Sequence, residues 1–261
     1  MKYVVCIKQV PDTMEVKVDP VTKRIIREGV PSIINPYDMY AIEEAIRLKE
    51  RFGGSVCAIT MGPPQAETAL REAIALGVDE AILVSDRAFG GSDTWATAYT
   101  LSRAISKIGD ATLIFCGREA LDGSTGQVGP ELAEFLEVPI VAYVSKIHSL
   151  DDSFLECDRL MEDHYETVKT PLPAILTVIK EINEPRLPSL RGIMKSKKEE
   201  IPVWTKEDIG GDDDSFGQEG SPTKVVEIWR PELKKEGKVA TGSNEELVDV
   251  LYSELKHLGV A

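Results

Sequence analysis

Between residues 3 and 144 the chain repeats one pattern that restricts it to a narrow set of folds. Short apolar runs rich in β-branched residues fall at 3–10, 55–60, 80–84, 111–116 and 139–144. Between them lie stretches with helical spacing. The first opens after Asn35, with Pro36 at its first position, and stops at Gly53-Gly54; the others cover roughly 65–76, 93–108 and 126–137. Pro36 suits a helix start because its missing N–H is not needed there, and Asn35 is the expected N-cap. Strands and helices alternating at this spacing predict βαβ units, hence an α/β fold with a doubly wound, mostly parallel sheet. Residues 14–28 read as a small hairpin insertion around Asp19-Pro20.

The character changes after residue 145. Residues 146–170 alternate around Asp151-Asp152-Ser153, which predicts an antiparallel hairpin, followed by an apolar strand at 174–180. Residues 207–219 are acidic and glycine-bearing and read as a linker, and a final helix starts at Ser243 with Glu246 completing a capping box. The expected division is an α/β domain over 1–205, with a docking loop at 183–198, and an acidic linker plus C-terminal arm over 206–261.

Charge removes several function classes. A net charge of −14 is unsuited to neutralising phosphates along a nucleic acid or to lying on an anionic bilayer. No window approaches the 18 apolar residues of a membrane span. The N-terminus has no basic-then-apolar leader, so a cytoplasmic location is expected. Cys6, Cys57, Cys116 and Cys157 are scattered, and three of them sit in apolar runs, where they read as buried thiols. With only three histidines, no metal site is expected.

Two segments carry chemistry. A parallel sheet of this kind binds ligands outside the carboxyl ends of its strands. There, residues 117–129 (Gly117 through Gly126 to Gly129) place four glycines in thirteen residues and lead into a helix N-terminus. Such a loop lets backbone N–H groups approach a phosphate. It matches neither the P-loop pattern nor the dinucleotide glycine fingerprint, and a glycine-rich turn that merely caps a helix reads equally well. The second segment, 183–198, holds five basic and no acidic residues from Arg186 to Lys198 in an acidic chain, interleaved with Leu187, Leu190, Ile193 and Met194. Charge to steer an encounter and apolar anchors to seat it suit a docking loop; an ordinary basic loop is the plainer alternative.

Four stretches resemble the beta subunits of electron transfer flavoproteins: Val5 to Asp12; Asn35-Pro36-Tyr37-Asp38 into Ala41–Ala45; Gly117 to Gly129; and, most specifically, Asn183-Glu184-Pro185-Arg186 through Lys198. The resemblance covers nearly the whole chain. It implies an adenine-nucleotide-binding α/β domain that clasps an alpha subunit carrying the exchanging flavin. It further implies a nucleotide of the chain's own, held around Cys6, Asn35, Asp38, Met61, Gly117, Asp122, Gly123, Ser124, Thr125, Gly126, Gln127 and Val128, with no catalytic side chain. Arg186, Leu190, Arg191, Ile193, Met194 and Lys195 would meet a partner, a flavin dehydrogenase of acyl-CoA or lactate type. The short Gly123-Ser124 link and the run Gln127 to Glu131 look like the electron-bifurcating branch, in which the nucleotide is FAD, NADH is the donor, and ferredoxin or flavodoxin is a low-potential acceptor. Two other readings stand beside it: a non-bifurcating carrier with structural AMP, and a nucleotide-binding hydrolase or ligase of related fold. The stretch 161–166 departs from the family in lacking a glycine pair.

Overall fold

The computed structural model describes residues 1–12, 17–18, 25–26, 31–226, 237 and 239–260. In chain order the strands and helices are β1 (Lys2–Cys6), β2 (Gln9–Pro11), β3 (Lys17–Val18), β4 (Ile25–Ile26), β5 (Ser32–Ile34), α1 (Pro36–Phe52), β6 (Ser55–Met61), α2 (Glu67–Leu76), β7 (Glu80–Val84) and α3 (Thr94–Ile108). They continue as β8 (Leu113–Gly117), α4 (Val128–Leu136), β9 (Ile140–Leu150), β10 (Phe154–Leu160), β11 (Tyr165–Pro171), β12 (Ala174–Val178), α5 (Leu190–Ser196), β13 (Val203–Trp204), α6 (Lys206–Ile209) and α7 (Asn244–His257). Two units result, Met1–Val226 and Glu227–Ala261.

The first unit is built on a nine-stranded sheet of order β11-β10-β9-β12-β8-β1-β6-β7-β13. Every neighbouring pair is parallel except β10 with β9 and with β11, so the alternation read from the sequence is realised as a doubly wound sheet with an antiparallel hairpin extension. Side chains two apart face the same way. Tyr3, Val5, Val56, Ala58 and Phe115 therefore meet α1 and α2 on one face. Val4, Cys6, Cys57, Ile59 and Cys116 meet α3 and α4 on the other. All four cysteines are free and buried. The winding starts at β1, runs outward through β6 and β7, and returns to β8 on the other side of β1. The switch point thus lies between β1 and β8.

Two local expectations change, and a third holds for the residues described. The apolar run 3–10 is not one strand: β1 ends at Cys6, and Gln9–Pro11 pairs antiparallel with Ser32–Ile34 in a separate ribbon. Asn35 precedes α1, but its side chain makes no capping bond. The hairpin at 14–28 appears as β3 paired with β4, and its remaining residues lie outside those described.

The stretch 206–226 is not a linker and belongs to the first unit. Thr205 and Asp208 form a capping box on α6, and Ile209 and Phe216 are buried in the core that α3 builds. Phe216 packs its ring 5.1 Å from Tyr99 and 5.5 Å from Phe89. Asp93 Oδ2 accepts from the Thr223 backbone N–H and hydroxyl at 2.9 and 2.7 Å. Acidic composition concealed two apolar anchors here. In the second unit, α7 carries the Ser243–Glu246 capping box and buries none of its residues. Val248, Leu251 and Tyr252 are all exposed on it.

Candidate functional site

At the switch point the loops after β1 and β8 are tied together by the start of α1. Asp38 is buried there. Its Oδ2 accepts from the Lys8 backbone N–H at 2.7 Å, and its Oδ1 from the Gly117 backbone N–H at 3.1 Å and Asn35 Nδ2 at 3.0 Å. Asn35, instead of capping its helix, spans to the next loop. Its Nδ2 donates to the Glu119 carbonyl at 2.8 Å and its Oδ1 accepts from the Leu121 N–H at 3.0 Å. Lys8 Nζ closes the ring on Asp122 at 2.7 Å. Burial pushes the Asp38 carboxyl up to about 7, while the Asn35, Lys8 and Gly117 donors pull it down. Gly117 is required by proximity: a Cβ there would stand 2.4 Å from Asp38 Oδ1 and 2.7 Å from the Tyr37 carbonyl carbon.

Cys6 and Cys116 are paired in register at the ends of β1 and β8. The Cys6 thiol is held well above the ordinary cysteine value, first by its hydrogen bond with Cys116 and then by burial. That keeps the thiol protonated, the less nucleophilic form.

Of the residues expected around a nucleotide, Cys6, Asn35, Asp38, Gly117 and Asp122 thus come together. Gly123, Ser124, Thr125 and Gln127 lie exposed on the following loop, with Gly126 half-buried. Ser124 N–H folds back to the Ala120 carbonyl at 2.7 Å. Among the described residues, the backbone N–H groups of Thr125, Gly126 and Gln127 have no partner. Gln127 stands at the N-cap of α4 without a side-chain capping bond, so the N–H groups of Val128 and Gly129 also remain open. Met61 ends β6, beside β1, and takes no part in the Asp38 network.

Sequence reasoning missed several residues here. Arg118 sits with its guanidinium 5.9 Å from the Tyr37 ring and 5.6 Å from that of Tyr143. Tyr143 has φ of 61°, and nothing in the sequence of β9 marks it. Glu131, in the first turn of α4, accepts from Thr94 Oγ1 at 3.0 Å through Oε1, while its Oε2 is buried without a partner. Burial raises its carboxyl above the usual range. Among the described residues no group of three His, Cys, Asp or Glu side chains comes together as a metal site, and no helix is long and apolar enough to cross a membrane.

The segment 183–198 is partly helical. Ser189 caps α5 by accepting from the Gly192 N–H at 2.9 Å. Leu187 and Leu190 are 89% and 83% exposed, and Met194 and Ile193 are also exposed. Arg186 and Lys195 face inward. Lys195 Nζ donates to the carbonyls of Val78 and Asp79 at 3.3 and 2.7 Å, at the end of the α2 turn. Arg191, Lys197 and Lys198 are exposed and form no ion pair with the described residues.

Comparison with known proteins fits this geometry. The family model described as "Electron transfer flavoprotein domain" matches residues 22–209. The chain is 51% identical over 256 residues to the electron transfer flavoprotein subunit beta of Thermoanaerobacterium thermosaccharolyticum, covering 98% of each chain. It is 48% identical over 258 residues to the caffeyl-CoA reductase-Etf complex subunit CarD of Acetobacterium woodii, again with 98% of each covered. Protein FixA of Azotobacter vinelandii is 43% identical over 267 residues, spanning 100% of this chain and 92% of that one. By these matches, and by the switch-point loops they include, the chain belongs to the electron transfer flavoprotein family as a beta subunit.

Proposed function

We propose that the chain holds FAD at the β1–β8 switch point, receives electrons there from NADH, and, paired with an alpha subunit, takes part in electron bifurcation with a flavin dehydrogenase. The observation that carries this reading is the row of unpartnered N–H groups from Thr125 into α4, on the same loop that Asn35 and Lys8 fasten at Glu119, Leu121 and Asp122. A helix N-terminus with free amides favours phosphate. The buried, unpartnered Glu131 Oε2 is an acceptor suited to a ribose hydroxyl.

The bound flavin would supply the redox chemistry. This chain's residues do other work. Asp38 and Asn35 fix the loops, Cys6 and Cys116 exclude water from the floor, and the glycine loop admits the phosphates. Asp38 uses both oxygens on three N–H donors, which suits it to fastening the loops and not to acting as a base. The exposed Leu187 and Leu190 support docking to a partner, and the relative named as a caffeyl-CoA reductase-Etf subunit supports one of acyl-CoA type; ferredoxin or flavodoxin as the low-potential acceptor is part of the proposal. The C-terminal helix α7 is read as a surface for the alpha subunit, since it buries none of its own apolar residues.

The test is NADH oxidation by the heterodimer with a low-potential acceptor, with and without the dehydrogenase and its substrate. Acceptor reduction that depends on both supports bifurcation. Acceptor reduction that is absent in every combination, with NADH left unoxidised, contradicts it.

A further inference from the structure

The two exposed leucines stand on a span that is fastened at both ends. At its start, Asn183 Nδ2 donates to the Tyr40 carbonyl and to Glu44 Oε2, each at 3.0 Å, and Arg47 Nη2 donates to the Glu184 carbonyl at 3.3 Å. Arg186 follows. Its Nε donates to Glu43 Oε2 at 2.8 Å, its Nη1 to Glu50 Oε1 at 2.6 Å, and its Nη2 to Glu43 Oε1 and Glu50 Oε2 at 3.3 and 3.0 Å. The Arg186 backbone N–H adds a bond to Glu43 Oε2 at 3.2 Å. At the far end α5 lies on α2. A Cβ on Gly192 would come 2.1 Å from the Ala75 carbonyl oxygen, Lys195 holds the carbonyls of Val78 and Asp79, and Arg71 Nη1 donates to the Ser196 carbonyl. Between the two fastenings run Leu187, Pro188, Ser189 and Leu190, with Leu187 and Leu190 almost wholly in water.

A guanidinium has five N–H donors, and the carboxylates on α1 engage four of those of Arg186. Little of it is left for a partner. Glu43, whose side chain is only 4% exposed, is held below the usual carboxylate range by Arg186 and Arg47 against the opposing effect of burial. Only a planar fork reaches both carboxylates at once.

We propose that Arg186 is a positioning residue for docking: it locks the start of the leucine-bearing span to Glu43 and Glu50 of α1, so that Leu187 and Leu190 are presented in one arrangement before a partner arrives. This rests on the docking reading given above. A span ordered in advance loses less freedom on binding.

Amide hydrogen exchange on the heterodimer tests the lock without a partner. Arg186→Gln is expected to speed exchange of residues 187–191 at least tenfold while peptides from β8 and the middle of α1 keep wild-type rates. Arg186→Lys recovers part of the protection. Glu50→Gln, at the exposed end of the network, shifts exchange in the same direction by a smaller factor and adds nothing in the Arg186→Gln background. In electron transfer with an acyl-CoA dehydrogenase, Arg186→Gln raises the KM for that dehydrogenase several-fold and leaves kcat unchanged. Wild-type exchange in Arg186→Gln overturns the proposal, and a raised KM beside it would make Arg186 a direct contact. If Arg186→Gln does not fold, Glu50→Gln decides, and wild-type exchange there overturns the proposal. Leu190→Ala separates the two claims. Loosened exchange in Arg186→Gln together with a wild-type transfer rate in Leu190→Ala would leave the lock standing but remove its docking role.

Discussion

The switch-point network depends on the absence of one methyl group. In Gly117→Ala the new Cβ would lie 2.4 Å from Asp38 Oδ1 and 2.7 Å from both the carbonyl carbon and the Cβ of Tyr37. Non-bonded carbons rest at about 3.5–4 Å, so the first turn of α1 must retreat by roughly 1 Å. Overpacking of this kind costs about 1–3 kcal/mol. The retreat also breaks the bond from the Gly117 N–H to a buried carboxyl group, which is worth about 1.5–3 kcal/mol when that group is charged. A total near 3 kcal/mol or more is expected. For a chain of this size that lowers the melting temperature by about 6–12 °C, and the loosened loop releases nucleotide. The assay is a circular-dichroism melt of the heterodimer alongside chromatographic quantitation of nucleotide retained after gel filtration. Gly123→Ala is the control, since nothing lies within 4 Å of a Cβ there, and it should stay within about 0.5 kcal/mol of wild type. A Gly117→Ala protein that melts within about 2 °C of wild type and keeps its nucleotide would refute the reasoning.

Other consequences are as direct. The folded Asp38 value of about 7 lies above its ordinary 3.8, so the native state keeps this proton after the unfolded chain has lost it. The group's contribution to stability is therefore lost as pH rises from about 4 to about 7. Urea unfolding at pH 4.5 and 7.5 should show wild type losing stability relative to Asp38→Asn across that window, and a flat or rising difference counts against it. Glu137 ends α4 in the left-handed region with φ of 54°, so Glu137→Gly should gain up to about 1 kcal/mol in the same unfolding assay; a loss would mean the side chain has an untraced role. Leu190→Ala should weaken docking about tenfold, the equivalent of 1–2 kcal/mol. The flavin spectrum should not change, and stopped-flow transfer at sub-saturating dehydrogenase reads the difference.

The sheet was legible because its strands and helices differ in period, and each parallel strand is an apolar run flanked by turn residues. The hairpin was legible for the same reason, through alternation on either side of Asp151-Asp152-Ser153. Segment 206–226 was not, because Ile209 and Phe216 are isolated apolar residues in acidic surroundings and their burial depends on α3, about a hundred residues earlier. The glycine-bearing loop was legible as a loop, while the roles given to its residues come only from the resemblance. That Asn35 would bridge to Glu119 and Leu121 instead of capping α1 depends on β1 and β8 lying side by side, which no local pattern encodes. The basic segment misled in a similar way. Arg186 and Lys195 read as docking residues, yet both engage carboxylates and carbonyls of their own unit, leaving Arg191, Lys197 and Lys198 as the outward cations of the segment.

FAD at the switch point is the proposal on which the rest of the functional reading stands. Co-expressing the chain with its alpha subunit, denaturing the purified heterodimer and quantifying the released nucleotides tests it most directly. Two FAD per heterodimer and no AMP are expected; one FAD together with one AMP would overturn the proposal.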